Sequence, residues 1–294
     1  MAIRQSRGDI VFTIINYAFL FAASSLVLYP LVYIVSSSFS SIYAVASGRV
    51  WLFPVQPSLQ GYKAVFADHR IWTGYLNSLF YASAGTAISV TMTVLAAYPL
   101  SRRDFVGRNV IMLMFTFTIL FSGGLIPSYL LVRSLGMDNT RFALIIPGAV
   151  SVWSVIITRT FFQSTIPNEL LEASQIDGCD NITFLYKVVL PLSLPVLAVI
   201  TLQSVVGHWN AYFNALLYLK NEKLYPLQII LRNILIQNQI ATENLDADVK
   251  NQIQDLRDLL KYSLIVVASV PVLAIYPFVQ KYFIKGVMIG AIKG

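Results

Sequence analysis

The chain has 294 residues, of which 56% are hydrophobic and only 12% are charged. Soluble domains carry about 25% charged residues, so this composition excludes an ordinary water-soluble fold and indicates that lipid surrounds much of the chain. The net charge of +7 would suggest nucleic acid binding in a soluble domain, but here the basic residues lie mostly beside apolar stretches, where they orient membrane segments.

The N-terminal segment carries Arg4 and Arg7 and then becomes apolar from about Ile10 to Phe39. A secretory signal peptide has a shorter apolar core, of about 7–15 residues, followed by a cleavage site made of small residues. The stretch here is too long for such a core. We therefore predict an uncleaved first membrane helix.

Six stretches of the chain are long and apolar enough to cross a bilayer, which takes about 20 helical residues. They span roughly residues 10–37, 76–100, 110–132, 142–162, 192–219 and 262–283. Prolines within them do not exclude helices, because neighbouring helices in a membrane satisfy the backbone groups that proline frees. The predicted fold is an all-α membrane protein in which residues 1–294 form a single domain with six transmembrane helices.

Six spans place both termini on the same side of the membrane. If that side is the cytoplasm, the inside loops are shorter and denser in basic residues than the outside loops, most visibly at Arg102, Arg103 and Arg108. Inside loops of membrane proteins carry this excess of positive charge. We therefore expect a multi-pass protein with both termini in the cytoplasm.

The longest outside loop covers residues 220–261 and contains an apolar repeat. Its apolar residues recur every three to four positions at Leu245, Val249, Ile253, Leu256 and Leu260, which predicts an amphipathic helix. This helix either packs on the outer ends of the bundle or also contacts an external partner.

The inside loop at residues 163–191 is longer than the usual connection of about 2–8 residues between helices. Its sequence predicts two short helices around a break. Pro167 suits a first helical turn, Gly178 permits the break, and Asp180 or Asn181 can cap the second helix. A short amphipathic helix outside the bilayer is stable if a partner supplies a groove, so the loop is a candidate for transmitting force from a soluble subunit.

The same loop resembles the EAA loop of ABC importer permeases. The family pattern is Glu-Ala-Ala, three residues, Gly, nine residues, Ile, one residue and Leu-Pro. The corresponding residues here are Glu172, Ala173, Ser174, Gly178, Val188, Leu190 and Pro191. The spacing matches throughout, with Ser174 in place of the second alanine and Val188 in place of isoleucine.

Three further segments are similar to the carbohydrate-uptake branch of that family, the maltose-permease-like proteins. Trp209-Asn210-Ala211-Tyr212 resembles the Trp-Asn-x-Tyr segment of their fifth helix, and residues 276–294 resemble their C-terminal signature. Residues 121–127 are similar to a sub-branch that often handles complex oligosaccharides.

The resemblance implies a type I ABC importer permease fold with cytoplasmic coupling helices in the bacterial inner membrane. It implies as partners a homologous second permease, two ATP-binding subunits, an external solute-binding protein and a carbohydrate, with no nucleic acid. ATP and Mg would be bound by the partners, and this chain would hold no cofactor and catalyse no reaction. In this family Glu172 would contact the ATPase and Gly178 would allow the bend, while Asp177 serves either as a cap or as a contact.

Substrate contacts are expected from residues that offer aromatic faces, amides and hydroxyls within the membrane, where polar residues usually face the bundle interior. The candidates are Trp209, Asn210, Tyr212 and Asn214, together with Gly123 and Gly124 at a similar height in the third span. The alternative is that they serve helix packing and interfacial anchoring. We expect His208 to be a packed or hydrogen-bonded residue.

Two other classes of function were weighed against an ATP-driven importer subunit. A secondary transporter predicts charges within the membrane and internal repeats, and the sequence displays neither. A membrane enzyme needs a nucleophile with a base, or a metal cluster, but Cys179 is the single cysteine and His69 and His208 lie far apart in sequence. The sequence also lacks the Gly-x-x-x-x-Gly-Lys-Ser/Thr motif of an ATPase.

Overall fold

The computed structural model describes residues 6–240, 260–277 and 280, and every regular element within them is helical. Three of these helices are long and apolar enough to cross a membrane, and the number rises to five if each of two sharply bent helix pairs is one span. An all-α protein with apolar membrane helices is thus confirmed, while the count of six spans stays a prediction. Most of the amphipathic repeat in the outside loop and the C-terminal signature lie outside the described residues.

The described chain divides into two compact units, residues 1–69 with 233–269 and residues 70–232 with 270–294. The predicted extent of a single domain over the whole chain stays a prediction. The candidate functional residues of the described chain lie in the second unit.

The first unit begins with α1, Arg7–Ser38, the first predicted span. Its N-terminus is fixed by a capping box in which Ser6 and Asp9 bond to each other's backbone N–H. The helix is exposed along most of its length, and Ser36, Ser37 and Ser38 at its last turn are buried. The short helices α2, Ile42–Ala46, and α3, Gln60–Ala67, follow.

The second unit is organised around α4, His69–Ser101, which contains the second predicted span. The third predicted span is interrupted: α5, Arg108–Leu120, and α6, Leu125–Ser134, meet at an angle of 115°. Gly124 lies at the break with a φ of +85°, a backbone conformation that favours glycine. The sequence suggested one helix here because apolar composition alone does not register such a break.

The fourth predicted span is also divided. A single turn, α7, Phe142–Ile145, is followed by the longer α8, Val152–Thr165. Pro147 and Gly148 occupy the irregular segment between them, and the side chain of Ser151 accepts a hydrogen bond from the backbone N–H of Ser154 to begin α8.

The remaining helices lie in the predicted inside loop, the predicted fifth and sixth spans and the predicted outside loop between them. They are α9, Asn168–Ile176; α10, Asn181–Leu192; α11, Leu194–Asn210; α12, Phe213–Tyr218; α13, Leu227–Ile240; and α14, Leu260–Pro277. Helix α10 contains a π-helical turn, Leu185–Val189, and meets α11 at an angle of 83°.

One apolar cluster holds α10 against the membrane helices. Phe184 and Val189 of α10 are buried together with Ala97 of α4, Val155 of α8 and Ile200 of α11. Arg159 of α8 also donates a hydrogen bond of 2.9 Å from Nε to the carbonyl oxygen of Leu100 in the last turn of α4. The inside-loop helices therefore rest on a packed base.

Candidate functional site

The first candidate site is the segment formed by α9 and α10. Helix α9 ends in a Schellman motif, in which the N–H of Gly178 bonds to the carbonyl of Gln175 at 3.0 Å and the N–H of Cys179 bonds to that of Ser174 at 2.9 Å. Gly178 has a φ of +75°. The left-handed conformation costs other L-residues roughly 1–2 kcal/mol, so glycine permits this tight reversal at little cost.

Helix α10 begins at an aspartate cap. The carboxylate of Asp180 accepts a hydrogen bond of 3.3 Å from the backbone N–H of Thr183, and hydrogen bonding from Thr183 holds the pKa of Asp180 below its ordinary value. The prediction of two short helices around a break at Gly178 agrees with the structure. Of the two cap residues left open by the sequence, the structure places Asp180 at the cap.

One side of this segment is packed and the other is free. Phe184 and Leu185 are buried against the membrane helices. On the opposite side, Ile176 is 88% exposed, and Ile182 and Tyr186 are each 67% exposed. Such a group of exposed apolar side chains beside a packed base marks an interaction surface.

The other predicted residues of the EAA pattern occupy defined positions in these helices. Glu172 and Ala173 are exposed on α9, and Ser174 donates from Oγ to the carbonyl of Leu171 at 2.7 Å. Asp177 occupies the C-cap position of α9. Leu190 and Pro191 lie in the last turn of α10, just before the 83° bend.

The second candidate site is a cavity of about 350 Å³ among α4, α8 and α11. It is lined by hydroxyl, amide and imidazole groups together with small and apolar residues, and it includes Asn214 and His208. The polar lining residues are Ser89, Thr93, Ser151, Ser154, Gln203, Ser204, His208 and Asn214. No Asp, Glu, Lys or Arg lies in this lining, so the cavity offers hydrogen bonds without fixed charge.

Of the residues predicted for the substrate pathway, only Asn214 lines the cavity. Trp209 is 2% exposed and packs edge-on against Tyr75 with the ring centroids 5.5 Å apart. The burial and ring contact of Trp209 favour the packing alternative, and its place in the substrate pathway stays a prediction. Asn210 and Tyr212 are exposed and lie outside the cavity lining.

Gly123 and Gly124 do not line this cavity either. An added β-carbon at either glycine would meet no atom within 4 Å. They belong to the break between α5 and α6 rather than to a close helix contact.

The sequence analysis missed Gln203 and Ser204, although a signal for them exists. Gln203, Ser204, Gly207 and His208 follow the i, i+1, i+4, i+5 spacing that places residues on one helical face. The serines of α4 and α8 give no comparable signal, because only the tertiary arrangement brings them to the same cavity.

A metal site is not apparent in the described ranges 6–240 and 260–277, where no group of three or more His, Cys, Asp and Glu side chains is placed to hold an ion. The two candidate sites are thus an uncharged membrane cavity and a packed segment, α9 with α10, that presents an interaction surface. Both features are suited to transport and binding.

Comparison with known proteins agrees with this geometry. Residues 89–289 match the family model described as binding-protein-dependent transport system inner membrane component. The polygalacturonan/rhamnogalacturonan transport system permease protein YtcP of Bacillus subtilis is 39% identical over 97% of this chain and 99% of its own length. Protein LplC of the same organism is 39% identical over 99% of this chain and 97% of its own.

A solved structure is also similar over nearly the whole chain. It is a chain of a bacterial ABC transporter involved in the import of the acidic polysaccharide alginate, with a TM-score of 0.84 and 35% identity. The match covers 95% of this chain and 99% of that chain. The resemblance inferred from the sequence is confirmed, and the chain belongs to the family of binding-protein-dependent transport system inner membrane components.

Proposed function

We propose that this chain is the permease subunit of an ATP-driven ABC importer for an oligosaccharide. It forms half of the translocation pathway, and a homologous second permease forms the other half. Two ATPase subunits bind the EAA loops of the two permeases in the cytoplasm, where both termini of this chain also lie, and these subunits hold ATP and Mg. In this chain the EAA segment consists of α9 and α10. An external solute-binding protein delivers the carbohydrate.

The observation that carries the coupling role is the two-sided construction of α9 and α10. The buried side joins the segment to the helices that line the cavity, since Val189 and Ile200 belong to the same cluster. The exposed side offers Glu172 and Ile176 to a partner. A displacement of the exposed side by a partner would therefore be transmitted to α11, which supplies Gln203, Ser204 and His208 to the cavity wall.

The substrate class is proposed from the cavity and from the relatives. Hydroxyl and amide groups can form hydrogen bonds with the hydroxyls of a sugar, and a few such groups in a cavity fix the orientation of a ligand. The name of YtcP refers to polygalacturonan and rhamnogalacturonan, and the solved transporter is involved in the import of the acidic polysaccharide alginate. We therefore propose oligosaccharides that contain uronic acids as the substrates, and neutral oligosaccharides serve as the comparison in transport assays.

The orientation is tested with the single natural cysteine. Cys179 follows Gly178 and is half-buried, so a maleimide can be directed to the EAA segment without any substitution. A membrane-impermeant maleimide should label Cys179 in inside-out vesicles but not in intact cells. Labelling in intact cells would place the segment outside and would contradict the coupling role.

Coupling itself is tested in the assembled transporter with its binding protein and oligogalacturonate. We expect Glu172→Ala to reduce substrate-stimulated ATP hydrolysis, whereas Glu222→Ala, at an exposed glutamate of the Glu222–Leu224 turn, should not. Equal stimulation in both variants would remove Glu172 from the coupling surface. ATP hydrolysis by the purified chain alone would contradict the assignment as a permease.

A further inference from the structure

A second cavity, of about 420 Å³, lies at the end of the second unit where α4, α8, α9 and α10 meet. Its wall includes the segment between α4 and α5, with Arg102, Arg103 and Arg108, and the first residues of α9. This basic cavity is separate from the uncharged membrane cavity, with which it shares no lining residue.

The first of the three arginines is neutralised within the chain. Arg102 binds Asp104 through two hydrogen bonds of 3.0 Å, from Nε and from Nη2. This pairing lowers the pKa of the Asp104 carboxyl and raises that of the Arg102 guanidinium. Arg102 therefore builds the wall of the basic cavity.

The other two arginines keep their charge available. With the Asn168 amide turned so that its oxygen faces Arg103, that oxygen accepts from Nη1 and Nε of Arg103 at 3.3 and 3.1 Å. Arg108 donates from Nη1 to the carbonyl of Arg102 at 2.8 Å. Among the residues that the structure describes, neither forms an ion pair, although Arg108 is close enough to Asp104 to add to the lowering of that carboxyl's pKa. Glu169 is the one acidic residue in the lining, so the two arginines outnumber it.

Helix α9 adds to the positive potential of the basic cavity. Pro167, Asn168 and Glu169, at the start of the helix, line the wall. The N-terminus of a helix carries a partial positive charge and unpaired backbone N–H groups. Two positioned guanidinium groups, which bind phosphate oxygens well, and this helix end therefore converge on one space.

The loop that carries the arginines also has an apolar tip. Phe105 is 38% exposed and Val106 is 92% exposed, and both lie between two apolar helices, α4 and α5. Apolar side chains next to basic ones are typical of segments that sit at the lipid headgroup level. This depth favours a phospholipid over a soluble anion as the source of the phosphate.

We propose that the basic cavity binds the phosphate of an anionic phospholipid of the inner leaflet, with Arg103 and Arg108 as the phosphate ligands. The choice of leaflet rests on the cytoplasmic orientation proposed above. Binding of the lipid would hold the α4–α5 segment and the start of α9 together. It would thus stabilise the EAA segment where it joins the membrane helices. Removal of the lipid would loosen α9 without affecting the uncharged cavity.

The proposal is tested by native mass spectrometry of the purified full chain in detergent, titrated with phosphatidylglycerol or phosphatidylcholine. We expect tighter retention of phosphatidylglycerol, by about tenfold, because both headgroups carry the phosphate but only phosphatidylcholine carries a choline cation, which the two guanidinium groups repel. R103Q/R108Q should abolish this preference, R103K/R108K should retain most of it, and R133Q, at an exposed arginine of α6 outside the cavity, should retain all of it.

Competing sources of the phosphate are separated in the same titration, and a protein partner is tested by co-purification with the ATPases. Displacement of phosphatidylglycerol by equimolar inorganic phosphate would overturn the lipid as the occupant. Loss of ATPase co-purification in R103Q/R108Q with unchanged lipid retention would show that the cavity receives a protein side chain instead. Because the lipid readout uses the chain without ATPases, failure of the coupling role would leave its result intact.

Discussion

Gly85 of α4 and His208 of α11 lie in such close contact that a β-carbon added at Gly85 would be 2.6 Å from Cε1 and Nε2 of the imidazole. His208 also lines the uncharged membrane cavity. The missing side chain at Gly85 therefore lets the imidazole stand between two membrane helices at the cavity wall. The expected packed role of His208 agrees with this contact.

Gly85→Ala should lower the free energy of unfolding by about 1–3 kcal/mol, the usual cost of forcing extra volume into a packed site. The measurement is thermal unfolding of the purified chain in detergent. Gly207→Ala is the matched control, because Gly207 is also helical but its added β-carbon would meet no atom within 4 Å. The double variant Gly85→Ala/His208→Ala should recover stability, and a double variant no more stable than Gly85→Ala would contradict the contact.

Gly178→Ala tests the reversal between α9 and α10. The variant should be less stable by about 1 kcal/mol, because alanine disfavours the left-handed backbone, and in the assembled transporter it should reduce substrate-stimulated ATP hydrolysis. Gly178→Asn should recover part of both losses, since asparagine tolerates this conformation better.

The chain offers a matched control for Gly178 at the end of α6. Gly136 has a φ of +69°, and its N–H and that of Met137 bond to the carbonyls of Arg133 and Val132 in the same Schellman pattern. Gly136→Ala should therefore cost similar stability but leave coupling intact. Equal loss of coupling in both variants would show that the effect of Gly178 is only a loss of stability.

The reversal at Gly178 was predictable because its determinants are local. A glycine after a short amphipathic run and an aspartate two residues later specify a C-terminus and an N-cap from a few adjacent residues. The first two spans were predictable for a related reason, since long uninterrupted apolar runs leave few alternatives to a membrane helix.

The breaks at Gly124 and before α8 and the polar cavity were not predictable in the same way. The mean hydropathy of a sequence window is nearly unchanged across a break. It therefore does not reveal the bend of 115° between α5 and α6. The cavity depends on Ser89, Ser154 and Gln203 meeting from three helices. For Trp209 the sequence left sugar contact and helix packing as alternatives, because its contact with Tyr75, which lies far away in sequence, depends on the tertiary structure.

Asp104→Asn tests the pairing with Arg102 through its pH dependence. Hydrogen bonding from Arg102 lowers the pKa of Asp104 in the folded chain from 3.8, so the pairing stabilises the fold above that pH and is lost as the pH falls through the lower folded value. The stability difference between wild type and Asp104→Asn should therefore be constant from about pH 5 upwards and should shrink below pH 3.8. Thermal unfolding across this range measures it, and a difference that persists unchanged at pH 3 would contradict the assignment.

The substrate pathway is tested with two asparagines that lie four residues apart. Asn214 lines the uncharged cavity, whereas Asn210 is exposed and outside its lining. Loss of one sugar hydrogen bond is worth about 0.5–1.5 kcal/mol, so Asn214→Ala should raise the oligogalacturonate concentration for half-maximal ATPase stimulation by roughly 2- to 10-fold. Gln203→Ala should do the same, and Asn210→Ala should leave the concentration unchanged.

Variants of Trp209 distinguish a packing role of this residue from a role in sugar recognition in the same assay. Trp209→Ala should destabilise the chain by about 3–5 kcal/mol, as expected for a buried tryptophan. Trp209→Phe keeps an aromatic ring against Tyr75 and should preserve the substrate dependence. A shift in substrate dependence for Trp209→Phe or Asn210→Ala, with none for Asn214→Ala, would move the sugar site from the cavity to the residues of the motif Trp209-Asn210-Ala211-Tyr212.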